Sequence, residues 1–219
     1  MHLTTSDASF VSKHCPTTHP VPTRAGFTEL TRTRYVTCAR RSGAERVDRF
    51  TSLAGALSAR GVRYLVIGVW GVNYYAPSGS AMFTTLDRDL FLPADPENLL
   101  AAWCVCRNNG FELFVRTEPL EEPRDSELAR AVVERRALTR ASDGMGTDVD
   151  LSLVMSGFDF EAIWPARRIF EVEEVAIPVA RLSHIVESKA TAGREKDRLF
   201  LATHREVLDH ILSDDDSSA

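Results

Sequence analysis

Two Asp-x-Asp pairs, each set in an otherwise apolar run, limit what this chain can fold into more than any other feature. TLDRDLFL (85–92) carries Asp87 and Asp89, and TDVDLSLV (147–154) carries Asp148 and Asp150. Both runs alternate with the two-residue period of a β-strand. Each pair of carboxylates therefore shares one face, with Leu86, Leu90 and Leu92 or Val149, Leu151 and Leu153 on the other. One such pair alone reads as the solvated face of an edge strand. Two pairs in one chain favour a shared purpose. Facing aspartates on neighbouring strands repel unless neutralised, and Mg²⁺, which prefers oxygen ligands, is the usual neutralising ion. Two such ions about 4 Å apart can bind both the attacking and the leaving oxygens of a phosphoryl displacement.

The surrounding pattern alternates helix and strand. Ser42 and Glu45 have capping-box spacing, and Val47, Phe50, Leu53 and Leu57 then recur at helical period up to Gly61. VRYLVIG (62–68) reads as a buried strand ending in glycine, followed by a short helix over 69–76 and a turn at Pro77-Ser78-Gly79-Ser80. Asp95 and Pro96 open a helix with Leu99, Leu100 and Trp103 inward and Gly110 past its end. A strand over 111–117, a polar loop over 118–125, a weakly patterned helix over 126–136 and a turn at 143–146 precede the second acidic strand. Beyond it come a helix near 158–164, β-like runs around 168–171 and 175–179, and helices over 181–190 and 194–212. This order predicts one α/β (α+β) domain over 42–213, with a mixed sheet and a helical C-terminal part. Residues 1–41, rich in Thr, Ser and Pro, read as a flexible leader, and 214–219 as a solvated acidic tail.

Charge and motif content exclude several functions. Residues 1–46 hold seven basic and three acidic residues, so the net charge of −5 leaves −9 on the remainder, which does not suit a broad nucleic-acid surface. No apolar run reaches the roughly 20 residues of a membrane span, no signal peptide is evident, and a cytoplasmic protein is expected. Cys15, Cys38, Cys104 and Cys106 suggest no disulfide framework, and Cys104-x-Cys106 reads as core packing. HExxH, GxSxG and GxGxxG motifs are all missing. Gly68 is different, because it ends a strand and opens a helix, where backbone N–H groups favour a phosphate.

Taken together, these features resemble the nucleotidyltransferase superfamily, with its polymerase-β-like fold, and within it the proteins related to AbiEii-type toxins. In that group a glycine turn and short helix precede a strand carrying Arg-x-Thr-x-Asp-x-Asp. IGVWGVNYYA (67–76) and Thr85-Leu86-Asp87-Arg88-Asp89 are similar to these two parts, and IPVARLSHIVESKATAGREKD (177–197) to a downstream lysine-bearing helix followed by Gly-Arg-x-Lys-Asp. The resemblance implies a mixed-sheet nucleotidyltransferase core that moves a nucleoside monophosphate from an NTP to an acceptor such as tRNA, protein or a small molecule, with Mg²⁺ or Mn²⁺. It implies Asp87 and Asp89 as metal ligands, Asp150 or Asp148 as the third carboxylate, and Gly68, Val69, Thr85 and Lys189 around the nucleotide. An antitoxin is an implied partner. Asp197 reads as structural. Val69 and Phe83 depart from the group's usual small residue and arginine. A catalytically silent module that binds nucleotide or protein, and an aminoglycoside-type small-molecule nucleotidyltransferase, stay open as alternatives.

Overall fold

A computed structural model of the chain describes residues 32–34, 48–76, 83–121 and 125–217. The first half contains β1 (Arg32–Arg34), α1 (Arg49–Ala59), β2 (Leu65–Ile67), α2 (Gly68–Asn73), β3 (Arg88–Phe91), α3 (Pro96–Asn108), β4 (Glu112–Val115) and β5 (Glu118–Pro119). The second half contains α4 (Ser126–Glu134), β6 (Thr139–Ser142), β7 (Asp148–Ser152), α5 (Phe160–Ile163), β8 (Arg168–Val172), β9 (Val175–Val179), α6 (Leu182–Ala192), α7 (Glu195–Thr203) and α8 (Arg205–Ser217). The strands form one mixed sheet in the order β1-β8-β9-β2-β3-β7-β6-β4-β5. Pairings β1–β8, β2–β9 and β3–β7 are parallel, and the others are antiparallel. The expected α/β architecture is therefore present. Among the described residues no helix is long and apolar enough to cross a membrane.

Local chemistry sets the helix starts. The Asp48, Asp95, Asp125 and Asp159 carboxylates each accept backbone N–H groups from the first turn of α1, α3, α4 and α5. The cap of α1 is thus Asp48, and the expected Ser42–Glu45 box lies outside the described residues. Leu53, Leu57, Leu90, Leu99, Trp103, Val149 and Leu151 are fully buried between sheet and helices. Leu100, expected inward, is only half-buried. Asn98 in α3 clamps the entry to β2, accepting from Arg63 N–H at 2.8 Å and donating to Arg63 C=O at 3.0 Å. Cys106 is buried as expected and Cys104 half-buried, while Cys15, Cys38 and the turn at 77–80 lie outside the described residues.

Four differences from the sequence reading have physical causes. Arg32–Arg34, inside the expected leader, adds an edge strand to β8; the rest of 1–47 lies outside the described residues. The loop after β4 turns back far enough to form β5, two residues long. TRAS (139–142), with too few large apolar residues to signal a strand, forms β6 because β7 and β4 supply its ladder on both sides. Finally, the expected long helix over 194–212 breaks at His204. That ring packs 4.7 Å from Phe83 and 5.0 Å from Phe200, and the new direction of α8 buries Leu208 and Ile211.

The new direction of α8 also corrects the solvated tail. Its last turns fold back, and Asp215 accepts from Arg168 Nη2 at 2.8 Å and Nε at 3.0 Å, with side chains only 7% and 15% exposed. Removing one partner of so shielded a pair strands the other charge. Asp215→Ala should therefore lower the unfolding free energy in urea by about 3 kcal/mol. Asp214→Ala, one residue away but 65% exposed, should change it by less than about 0.5 kcal/mol.

Candidate functional site

Strand register builds the site. In the parallel β3–β7 pair Asp89 lies opposite Asp150, in β2–β3 it lies opposite Ile67, and in β6–β7 Asp150 lies opposite Arg140. Partners in register project to the same face, so Ile67, Asp89, Asp150 and Arg140 form one row across four strands. Asp148, two residues back on β7, shares that face and pairs with Ser142. Asp87 sits just before β3 and is exposed. The two Asp-x-Asp pairs thus meet on adjacent strands. The intervening Arg88 points away, its guanidinium 4.5 Å from the Trp70 ring, and Leu90, Val149 and Leu151 line the buried side.

Gly68 completes the acidic side of the row. It begins α2 with φ of +68°, and a Cβ there would lie 2.2 Å from Asp89 Oδ2. Only glycine tolerates both the backbone conformation and the carboxylate at that distance. Val69 follows it, half-buried against the core. Thr85 Oγ1 accepts the Asp87 N–H at 3.2 Å, shaping the approach to β3. Upstream, the Asn73 amide brackets Phe83, accepting its N–H at 2.8 Å and donating to its C=O at 2.9 Å. Phe83, where arginine was expected by resemblance, is buried against Phe200 and His204 and anchors this segment to α7.

Electrostatics single out Asp89. Burial, followed by the charges of Asp150 and Asp87, pushes its carboxyl up to about 6, against the opposing pull of Lys189 and Lys196. Among the described residues none donates a hydrogen bond to the side-chain carboxylate of Asp87 or Asp89, although Thr85 Oγ1 also reaches the Asp87 carbonyl at 3.5 Å. Asp150 is held otherwise: Arg140 Nε and Nη2 donate to its two oxygens at 2.7 and 3.0 Å. The Arg140 guanidinium holds its proton more firmly than usual, because of this hydrogen bonding and then the charges of Asp150, Asp148 and Asp87.

Lys189 lies on α6, its side chain 12% exposed, and donates to Asp197 Oδ1 at 3.2 Å while standing 5.2 Å from the centre of the Phe200 ring. Asp197 is buried and also accepts from Arg194 at 2.6 Å. Burial works against its charge, but hydrogen bonds from Arg194 and Lys189 hold it below the usual carboxylate range. It joins α6 to α7, as a structural residue would. Lys196 is exposed beside this joint.

Gly68, Asp87, Asp89, Asp148 and Asp150 are therefore brought together, with Lys189 within electrostatic reach. Arg140 and Lys196 were not anticipated as site residues. Arg140 was missed with its strand. The one available signal was a Gly-containing turn, Asp143 to Gly146, between two alternating runs, the pattern of a hairpin.

The donor set has the chemistry of a hard cation site. Among the described residues the Asp87 and Asp89 carboxylates have no hydrogen-bond donors, and Asp89 stands against a glycine whose missing Cβ leaves room for it. Asp150 could join them only by leaving Arg140, and among the described residues no three potential ligands are grouped closely enough to hold an ion. No protein-family model matches the chain, and no curated protein matches it.

Because folding raises the Asp89 carboxyl from 3.8 to about 6, the folded state binds the extra proton between those values. Stability of the metal-free chain should thus fall as pH rises from about 4 through about 6 and stay lower above. Asp89→Asn should abolish that slope and add about 3 kcal/mol to the urea unfolding free energy near pH 7.

Proposed function

We propose that this chain is a metal-dependent nucleotidyltransferase with a polymerase-β-like core. The observation that carries the reading is the in-register pairing of Asp89 with Asp150 on parallel strands, with the Gly68 turn against Asp89. Burial, and then the like charges of Asp150 and Asp87, raise the carboxyl of Asp89, and an arrangement of that kind is stabilised by a cation that also serves a polyanionic substrate.

A divalent ion, Mg²⁺ or Mn²⁺, would be held by Asp87 and Asp89 and would supply positive charge against the phosphates of a bound NTP. Gly68 and Val69 open α2 beside that place, and glycine at position 68 lets the turn lie against the Asp89 carboxylate, so a phosphate drawn to the ion meets the backbone of this turn. Thr85 keeps Asp87 on course. Lys189, steered by Asp197, neutralises a phosphate or the departing pyrophosphate. An acceptor hydroxyl or phosphate attacks the α-phosphorus as the bond to pyrophosphate breaks. Asp150, or Asp148 two residues back on the strand, would help to position an ion and take the proton of an attacking hydroxyl. Most of the rate then comes from charge arranged in advance.

A second reading is a nucleotide-binding module without turnover. Its motivation is the two-pronged hold of Arg140 on Asp150, which leaves the third carboxylate engaged.

Incubation with α-³²P-labelled NTPs, Mn²⁺ or Mg²⁺, and RNA, protein and aminoglycoside acceptors tests the proposal. Label transfer is expected with the wild type and should drop by about a hundredfold or more in Asp89→Ala and Asp87→Ala. Equal behaviour of wild type and Asp89→Ala across the panel would sink the transferase reading. Calorimetric binding of NTP with Mn²⁺ but no transfer would favour the module.

A further inference from the structure

We propose that Arg140 is a movable counter-ion: it holds Asp150 while the site is empty, then releases it to a divalent cation and turns to the phosphates of the incoming nucleotide. The inference rests on the transferase reading and adds a residue that no motif of the chain pointed to.

Arg140 and Asp150 are direct partners across β6 and β7, so the guanidinium lies in the same row as Asp89 and on the same face. Its Nε and Nη2 engage both carboxylate oxygens, at 2.7 and 3.0 Å. A carboxylate committed in this way has its best lone pairs taken, so gripping Arg140 with both oxygens and ligating an ion are competing states.

Exposure decides which partner moves. The Asp150 side chain is 13% exposed and that of Arg140 is 43% exposed. The acid is fixed in the sheet face. The guanidinium stands at the open end of a flexible stem, where it can swing without disturbing the core.

Charge supplies the drive. Without a cation, Arg140 is the strand-borne positive charge facing Asp150, Asp148 and Asp87. A doubly charged ion delivered with a nucleotide takes over that neutralising duty. The same delivery brings phosphate oxygens, whose spacing suits the planar guanidinium as well as a carboxylate does. One residue thus screens the acids in the empty state and grips the substrate in the loaded one.

The test is calorimetry on the full chain, titrating MnCl₂ alone and then a non-hydrolysable α,β-methylene nucleoside triphosphate in saturating Mn²⁺. Arg140→Ala should bind Mn²⁺ about tenfold more tightly, because Asp150 is free, and the nucleotide analogue about tenfold more weakly. Arg140→Lys keeps the charge but loses the planar fork, so its analogue affinity should fall between the two. A purely structural Arg140 would weaken both ligands together, and that result overturns the proposal. Unchanged Mn²⁺ affinity in Arg140→Ala also overturns it but leaves the transferase reading standing if Asp89→Asn still loses the ion. Failure of wild type and Arg140→Ala alike to bind Mn²⁺ or nucleotide overturns both.

Discussion

The parallel pairing of β3 with β7 places the partly buried Asp89 carboxyl beside that of Asp150, and burial, reinforced by the repulsion created there, sets the electrostatics of the site. Two carboxylates held at neighbouring positions on a half-buried sheet face cannot both be comfortably ionised. The chain answers with cations from three directions: Arg140 from β6, Lys189 from α6 and Lys196 from the start of α7. Those cations share the work unequally. Arg140 is hydrogen-bonded to Asp150, whereas the two lysines act on Asp89 through space. The Asp89 carboxylate is left without a hydrogen-bonded cation among the described residues.

The rest of the fold serves to hold that pairing under load. Leu90, Val149 and Leu151 lie on the other face of the same two strands and are fully buried, so a slip of one residue would drive the aspartates into the core. Asn73, Phe83 and Thr85 fix the segment entering β3, and the Asp197 joint fixes the helix that carries Lys189. Apolar burial on one face thus stabilises a charge cluster on the other. Phe83 illustrates the exchange well. Where an arginine would have brought another cation toward the acids, this chain has a ring packed on Phe200 and His204, tightening the path of the strand instead.

Much of this could be read from residues alone. Alternation in 85–92 and 147–154 marked both acidic strands, although the first begins at Arg88 and leaves Asp87 just outside it, Asp95 with Pro96 marked the start of α3, and the glycine after VRYLVI marked the turn into α2. The misses share one cause. β6 is small and polar, β5 is two residues long, α8 departs from α7 at His204, whose ring packs on Phe83, and Asp215 is sheltered beside Arg168 and Arg181. Each depends on a partner distant in the chain, which local periodicity does not encode.

Side-chain period and turn chemistry are properties of consecutive residues, so the sequence by itself determined that Asp89, Asp148 and Asp150 would stand on apolar strands near a glycine bend, with Asp87 at the entry to the first. Which strands became neighbours, and in what register, was decided only by tertiary structure, because ladder hydrogen bonds and core packing select among many pairings of equal local merit. That choice put Asp89 next to Asp150 and Arg140 within reach of it, turning two separate acidic strands into one charged row.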